Sequence, residues 1–213
     1  MQNNECLGDK NFSKKHWENI YNLKNFNEVS WYQESPKTSI DLIQSVDPDK
    51  NAYIIDVGGG NSNLVDNLIE LGFKNIFVLD ISLKALEKSK QRLNEKSKTI
   101  NWINSDIKEF KTNEKFDIWH DRALFHFLIS EEDIKKYIES VNRFLKPAGY
   151  LIIATFSLKG PKKCSGLDTK QYSEDSIRKI FNKGFEYIKS FEEIHNTPFN
   201  TTQSFIWNVF KKL

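Results

Sequence analysis

The run Ala52-Tyr53-Ile54-Ile55-Asp56-Val57, followed at once by Gly58-Gly59-Gly60, constrains this chain more than any other stretch. A short, nearly continuous apolar run reads as a strand covered on both faces. The glycines turn the chain sharply and let a ligand approach the backbone with no Cβ in the way. Leu64, Leu68, Ile69 and Leu71 then mark a helix that stops at Gly72. Strand, glycine turn and helix in that order open a doubly wound α/β sheet, which binds ligands outside the carboxyl ends of its strands.

The rhythm continues beyond the turn. Residues 75–79 form a second strand, and Ser82 caps a helix carrying Leu83, Leu86 and Leu93. Residues 99–103 and 116–119 are further strands. A helix over 131–145 is closed by Lys146-Pro147-Ala148-Gly149, and 150–156 is a fifth strand. Such alternation implies right-handed crossovers and helices on both faces of a mostly parallel sheet. After a helix around 173–182, the apolar runs 185–194 and 201–210 are joined by a connection too short for a parallel crossover. The expected fold is therefore α/β: a Rossmann-like, seven-stranded, mostly parallel sheet with a C-terminal antiparallel hairpin.

A length of 213 residues suits one domain. Residues 1–50 read as a helical cap segment of it and 51–213 as its ligand-binding body. In 11–23, Phe12, His16, Ile20 and Leu23 recur at spacings of three and four, flanked by Trp17. Ser35 reads as an N-cap with Pro36 at the first helical position, ahead of Ile40, Leu42, Ile43 and Val46. The 31 basic and 29 acidic residues nearly cancel. A net charge of +2 argues against a nucleic-acid binder driven by phosphate neutralisation. No apolar run approaches the length of a membrane span, and the polar start MQNNECLGDKN is unlike a secretory signal. Cys6 and Cys164 are too few for a disulfide framework or a structural zinc site and suggest a reducing, cytoplasmic setting. His16, His120, His126 and His195 are scattered, so no metal is expected.

The glycine turn leaves two ligand classes in competition. A dinucleotide site wants Gly-x-Gly-x-x-Gly; Gly58 and Gly60 fit, but Asn63 stands where the third glycine belongs. A phosphate loop would need Gly-Lys-Ser/Thr, which is absent. Asp80 lies about 20 residues beyond Gly60 at the end of the second strand, where a carboxylate accepts from both hydroxyls of a ribose. Asp106, after the third strand, is placed to accept from an adenine amino group, with Ile81 and Ile107 on the ring faces; each acid also suits a helix cap. These strand ends make an adenosine site with no place for a pyrophosphate.

DVGGGNSNLVDNLIELG, NIFVLDIS, NWINSDIKEF and RFLKPAGYLIIATFS resemble, in order, the motifs of class I S-adenosylmethionine-dependent methyltransferases. The resemblance runs from about residue 30 to 213. It implies S-adenosyl-L-methionine as cofactor, with Gly58 and Gly60 at its methionine part and Asp56 facing its amino group. Asp80 would hold the ribose, and Asp106 with Ile107 would frame the adenine. The segment Asp117-Ile118-Trp119-His120-Asp121-Arg122-Ala123-Leu124 is similar to one in thiopurine and other small-thiol methyltransferases, except that His120 is inserted. The Asp-Lys-Gly-Thr segment of lysine methyltransferases of this fold is not matched. The Trp31-Tyr32 segment closes over the cofactor in related folds, and aromatic faces suit a sulfonium; core packing is the other reading of these rings.

Methyl transfer from a sulfonium is an in-line displacement that needs an ordered nucleophile and no metal. His120, Asp121, Arg122 and His126 sit where the fourth strand delivers the chain beside the methyl group. All but four of the basic residues are lysine, so Arg122 points to a needed guanidinium fork for a carboxylate, or to a structural Asp–Arg pair that braces the loop. His120 or His126 reads as a base or pocket donor, or, for His126, as a core residue between Phe125 and Phe127. The loop 159–170 reads as a lid ending near Tyr172, or as a solvated loop whose cations lower the pKa of Cys164. The resulting expectation is a methyltransferase for a small-molecule acceptor, with a thiol or hydrosulfide foremost. A protein lysine methyltransferase and a non-catalytic nucleoside-binding module are the alternatives, and the oligomeric state is left open.

Overall fold

Nearly continuous burial along the central strands places the sheet between two layers of helices. In the computed structural model, which describes residues 12–213, β1 (Tyr53–Val57) is flanked on one side by β2 (Asn75–Asp80) and β3 (Ile100–Asn104). On the other side stand β4 (Phe116–Arg122) and β5 (Leu145–Phe156), and all five strands run parallel. The chain start, with Cys6, lies outside the described residues. A small ribbon of β6 (Lys163–Cys164) and β7 (Leu167–Asp168) interrupts the loop after β5. The hairpin of β8 (Phe185–Asn196) and β9 (Thr202–Lys212) completes the sheet, β9 antiparallel to β5 and β8 at the edge. The order β3-β2-β1-β4-β5-β9-β8 reverses between β1 and β4, the crevice where such sheets bind ligands.

Successive strand residues feed two cores. Ile55, Trp119, Ile153 and Phe210 pack with α5 (Glu131–Phe144) and α6 (Glu174–Ile180). Ile54, Ile118, Ile152 and Trp207 pack with α2 (Lys37–Ser45), α3 (Leu64–Glu70) and α4 (Leu83–Leu93). The first helix, α1 (Phe12–Leu23), lies against α4. Its Glu18 accepts from the backbone N–H of Leu83 at 2.7 Å and of Lys84 at 3.1 Å, and from Ser82 Oγ at 3.0 Å. A carboxylate there satisfies the open N–H groups of α4 and lies at the positive end of its dipole.

Four local expectations are corrected. Ser35 does not cap α2: Pro36 holds the cap position without a side-chain bond, because the first helical bond runs from Ile40 N–H to the Pro36 carbonyl. Leu23 is not on the inner stripe but 83% exposed, and Tyr21 is the buried residue of that turn. Strand β4 extends past its apolar run through His120, Asp121 and Arg122, because β1 and β5 supply backbone partners there. Lys146 to Gly149 do not end a helix but enter β5, through an irregular register beside Phe116. Among the described residues no helix is long and apolar enough to cross a membrane.

Candidate functional site

The glycine turn is held from below. Gly58 and Gly60 have φ of +72° and +49°, the left-handed region that favours glycine. A Cβ on Gly58 would come within 2.8 Å of Leu124, and one on Gly60 within 2.6 Å of Tyr21 Oη and 2.9 Å of Asp80 Oδ2. The backbone N–H groups of Gly58 and Gly59 both donate to the Leu79 carbonyl, tying the turn to the end of β2. From α4, Ser89 donates to the Gly60 carbonyl at 3.0 Å. Arg92 donates to the Ser62 carbonyl and to Asn61, and its Nε and Nη2 grip Asp66 at 3.2 and 2.8 Å. The Arg–carboxylate fork expected of Arg122 is thus found at Arg92, which clamps the far side of the turn.

The acids expected at the next strand ends occupy those positions. Asp80 is buried, accepts from Ser82 N–H at 2.7 Å, and lies beside Gly60 and Tyr21. Burial, with Asp56 and Glu18 near it, raises its pKa to about 7. Asn104 donates to the carbonyls of Asp80 and Ile81 and locks the ends of β2 and β3 together. Asp106 accepts from Lys108 N–H at 2.9 Å and caps the short turn that carries the buried Ile107. Ile81 is half-buried. Tyr21, which the sequence did not single out, covers this end of the site.

Strand alternation separates the residues of β4. His120 and Arg122 face α2 and the cleft, whereas Asp121 points to the opposite face. There its Oδ2 accepts from Tyr137 Oη at 2.7 Å, and its Oδ1 from the N–H groups of Leu124 and Phe125. Burial raises the Asp121 pKa to about 6. No Asp121–Arg122 pair can form across the strand. Asp121 braces the turn after β4 and does not reach the cleft.

His120 is held at both ends. Its Nδ1 donates to Asp56 Oδ1 at 2.7 Å, and Nε2 stands 3.0 Å from Ser39 Oγ on α2. A carboxylate only accepts, so the proton on the Asp56 side is fixed; in the neutral ring Nε2 accepts from Ser39. All three side chains are buried, with Ser39 at 1%, His120 at 2% and Asp56 at 4% exposure. Ser39 was missed. Its one signal was a hydroxyl in the apolar stripe of α2, between Pro36 and Ile43.

Arg122 donates through Nη1 to the Trp31 carbonyl at 3.2 Å and lies over the Phe205 ring at 4.7 Å. Burial brings its pKa down to about 10. Trp31, Tyr32, Ser39, Asp56, His120 and Arg122 line one cleft beside Gly58 and Gly59. His126 stacks on Phe156 at 4.0 Å with Nδ1 accepting from the Phe156 N–H, and burial lowers its pKa to about 3. It is a fully buried core residue and does not line the cleft. Cys164 is also corrected: burial pushes its thiol pKa up, outweighing the nearby cations expected to lower it. Among the described residues no group of three side chains is arranged to hold a metal ion.

A family model described as a methyltransferase domain matches residues 48–207. The chain is 27% identical over 192 residues to an EEF1A lysine methyltransferase 2 from Danio rerio, covering 83% of this chain and 76% of that protein. A solved SAM-dependent methyltransferase from Anabaena variabilis superposes with a TM-score of 0.74 at 16% identity, over 94% of this chain and 95% of that one. The N-methyltransferase NodS from Bradyrhizobium japonicum, in complex with S-adenosyl-l-homocysteine, gives 0.69 at 17% identity over 96% and 99%. At that identity the likeness to the two structures is one of fold.

Proposed function

The chain belongs to the methyltransferase domain family, and from that premise we propose that it uses S-adenosylmethionine to methylate a small-molecule acceptor at a thiol or hydrosulfide. The observation that carries the cofactor half is the succession Asp56, Asp80 and Asp106 at the ends of three adjacent strands around the glycine turn. Asp80 fits a ribose: a buried acid crowded by Asp56 and Glu18 is relieved by two hydroxyl donors. Asp56 faces the amino group, Gly58 and Gly60 the methionine part, and Trp31 and Tyr32 close over it. Asp106, Ile81 and Ile107 frame the adenine. The bound cofactor supplies a methyl group activated on a sulfonium.

His120 and Arg122 serve the acceptor. His120, oriented by Asp56, takes through Ser39 the proton that the acceptor sheds as its sulfur forms the new bond to carbon. Arg122 places a positive charge in the cleft, which favours a thiolate and lowers its apparent pKa. The same charge disfavours the ammonium of a lysine side chain. A lysine acceptor remains the second reading because the Danio rerio relative carries that activity in its name. Methyl-labelled cofactor, offered with a thiol panel and separately with lysate protein, tests the choice. Labelled small thioethers are expected; a labelled protein band with every thiol inert would promote the lysine reading.

A further inference from the structure

The Arg122 guanidinium is only partly used. Nη1 is bonded to the Trp31 carbonyl, while Nε and Nη2 are out of solvent and have no partner. Those two nitrogens form the edge of a guanidinium whose N–H bonds run side by side, the edge that matches both oxygens of a carboxylate. The protein's own acids are committed elsewhere. Glu193 accepts from Trp207 Nε1 at 2.7 Å and from Thr38. Asp56 is held by His120, and Asp121 lies on the other face with Tyr137. Leaving two donors of a buried cation unpaired is costly, so a ligand that pairs them gains the difference.

His126 lies against the same aromatic ring but inside the core, so it backs the Arg122 side of the cleft without receiving the ligand. Because the Phe156 N–H donates to Nδ1 of His126, that imidazole carries its proton on Nε2, which is buried without a partner. Phe205 lies against both side chains, 4.7 Å from Arg122 and 6.3 Å from His126. Both belong to the β4–β5–β9 side of the switch point, away from Asp80 and Asp106 on the β2–β3 side. We infer that the methyl acceptor carries a carboxylate, received by the Nε–Nη2 edge of Arg122 at the end of β4. The inference rests on the methyltransferase reading above and narrows its acceptor to an anionic class.

The test uses the full chain saturated with S-adenosylhomocysteine, titrated calorimetrically with matched probes. These are 3-mercaptopropionate against 3-mercaptopropionamide, and 2-mercaptobenzoate against thiophenol, with wild type, Arg122→Met and Arg122→Lys. The acid is expected to bind wild type at least tenfold tighter than its neutral partner in one pair or both. Arg122→Met should bring that ratio within twofold of one, and Arg122→Lys, a point charge without the fork, should keep part of it. No preference in wild type, or one untouched in Arg122→Met, overturns the inference; if Arg122→Met does not fold, the wild-type ratio and Arg122→Lys decide it. A further arm compares S-adenosylhomocysteine with 5′-methylthioadenosine, which lacks the amino-acid end. If Arg122→Met weakens only the former, the fork serves the donor's carboxylate and the acceptor assignment is overturned. Failure of wild type to bind S-adenosylhomocysteine at all would instead remove the methyltransferase reading beneath it.

Discussion

At the scale of single residues, the ribose role proposed for Asp80 would tie stability to function with opposite signs. Its pKa is raised from 3.8 to about 7, so the folded state disfavours its charge. Its contribution is intact below pH 4 and is lost as pH rises toward 7, by about 1.4 kcal/mol per unit. Asp80→Asn should therefore raise the melting temperature of the ligand-free protein more at pH 8 than at pH 5. The same change should weaken S-adenosylhomocysteine by ~2–4 kcal/mol, since the ribose loses a charged acceptor. Melting curves at the two pH values and one titration check both; equal affinity in a well-folded variant would remove Asp80 from the ribose site. Ser39→Ala leaves His120 Nε2 buried without its partner and should cost ~1–2 kcal/mol in urea unfolding. Arg92 left no signal in the sequence, and Ser39 only a hydroxyl in an apolar stripe. Their partners, His120 and Asp66, are remote in the chain, and a local pattern carries no record of a pairing made by folding. The residues at the strand ends were legible because the alternation of strands and helices fixes where each strand delivers its last side chain.

At the scale of elements, the capping of α4 by Glu18 couples the N-terminal helix to the body of the fold. Glu18→Ala should destabilise by about 1 kcal/mol and speed amide exchange at Leu83 and Lys84 before the sheet is affected. Exchange unchanged at those amides would show that α1 does not hold the helix start. Strand β4 shows why element boundaries escape a pattern reading. Apolarity stops at Trp119, but the register continues through Asp121 with β1 and through Arg122 with β5. That extension makes His120 and Arg122 neighbours on one face and sends Asp121 to the other. The Asp–Arg pair that one reading placed here as a loop brace fails for that reason: Asp121 and Arg122, next to each other in a strand, point apart. The terminal hairpin was legible from the shortness of its connection alone, a constraint that packing cannot override.

At the scale of the whole molecule, the central claim is that this cleft binds an adenosine sulfonium and not a dinucleotide. The glycine turn lacks the third glycine of the dinucleotide pattern, and the acids at the strand ends suit a nucleoside with an amino-acid tail. The most direct measurement is calorimetric titration of the full chain with S-adenosylhomocysteine and, separately, with NAD. One-to-one binding of S-adenosylhomocysteine is expected, with stabilisation of about 2.7 kcal/mol at one hundred times its Kd, and no heat from NAD. Saturable binding of NAD with none of S-adenosylhomocysteine would contradict it.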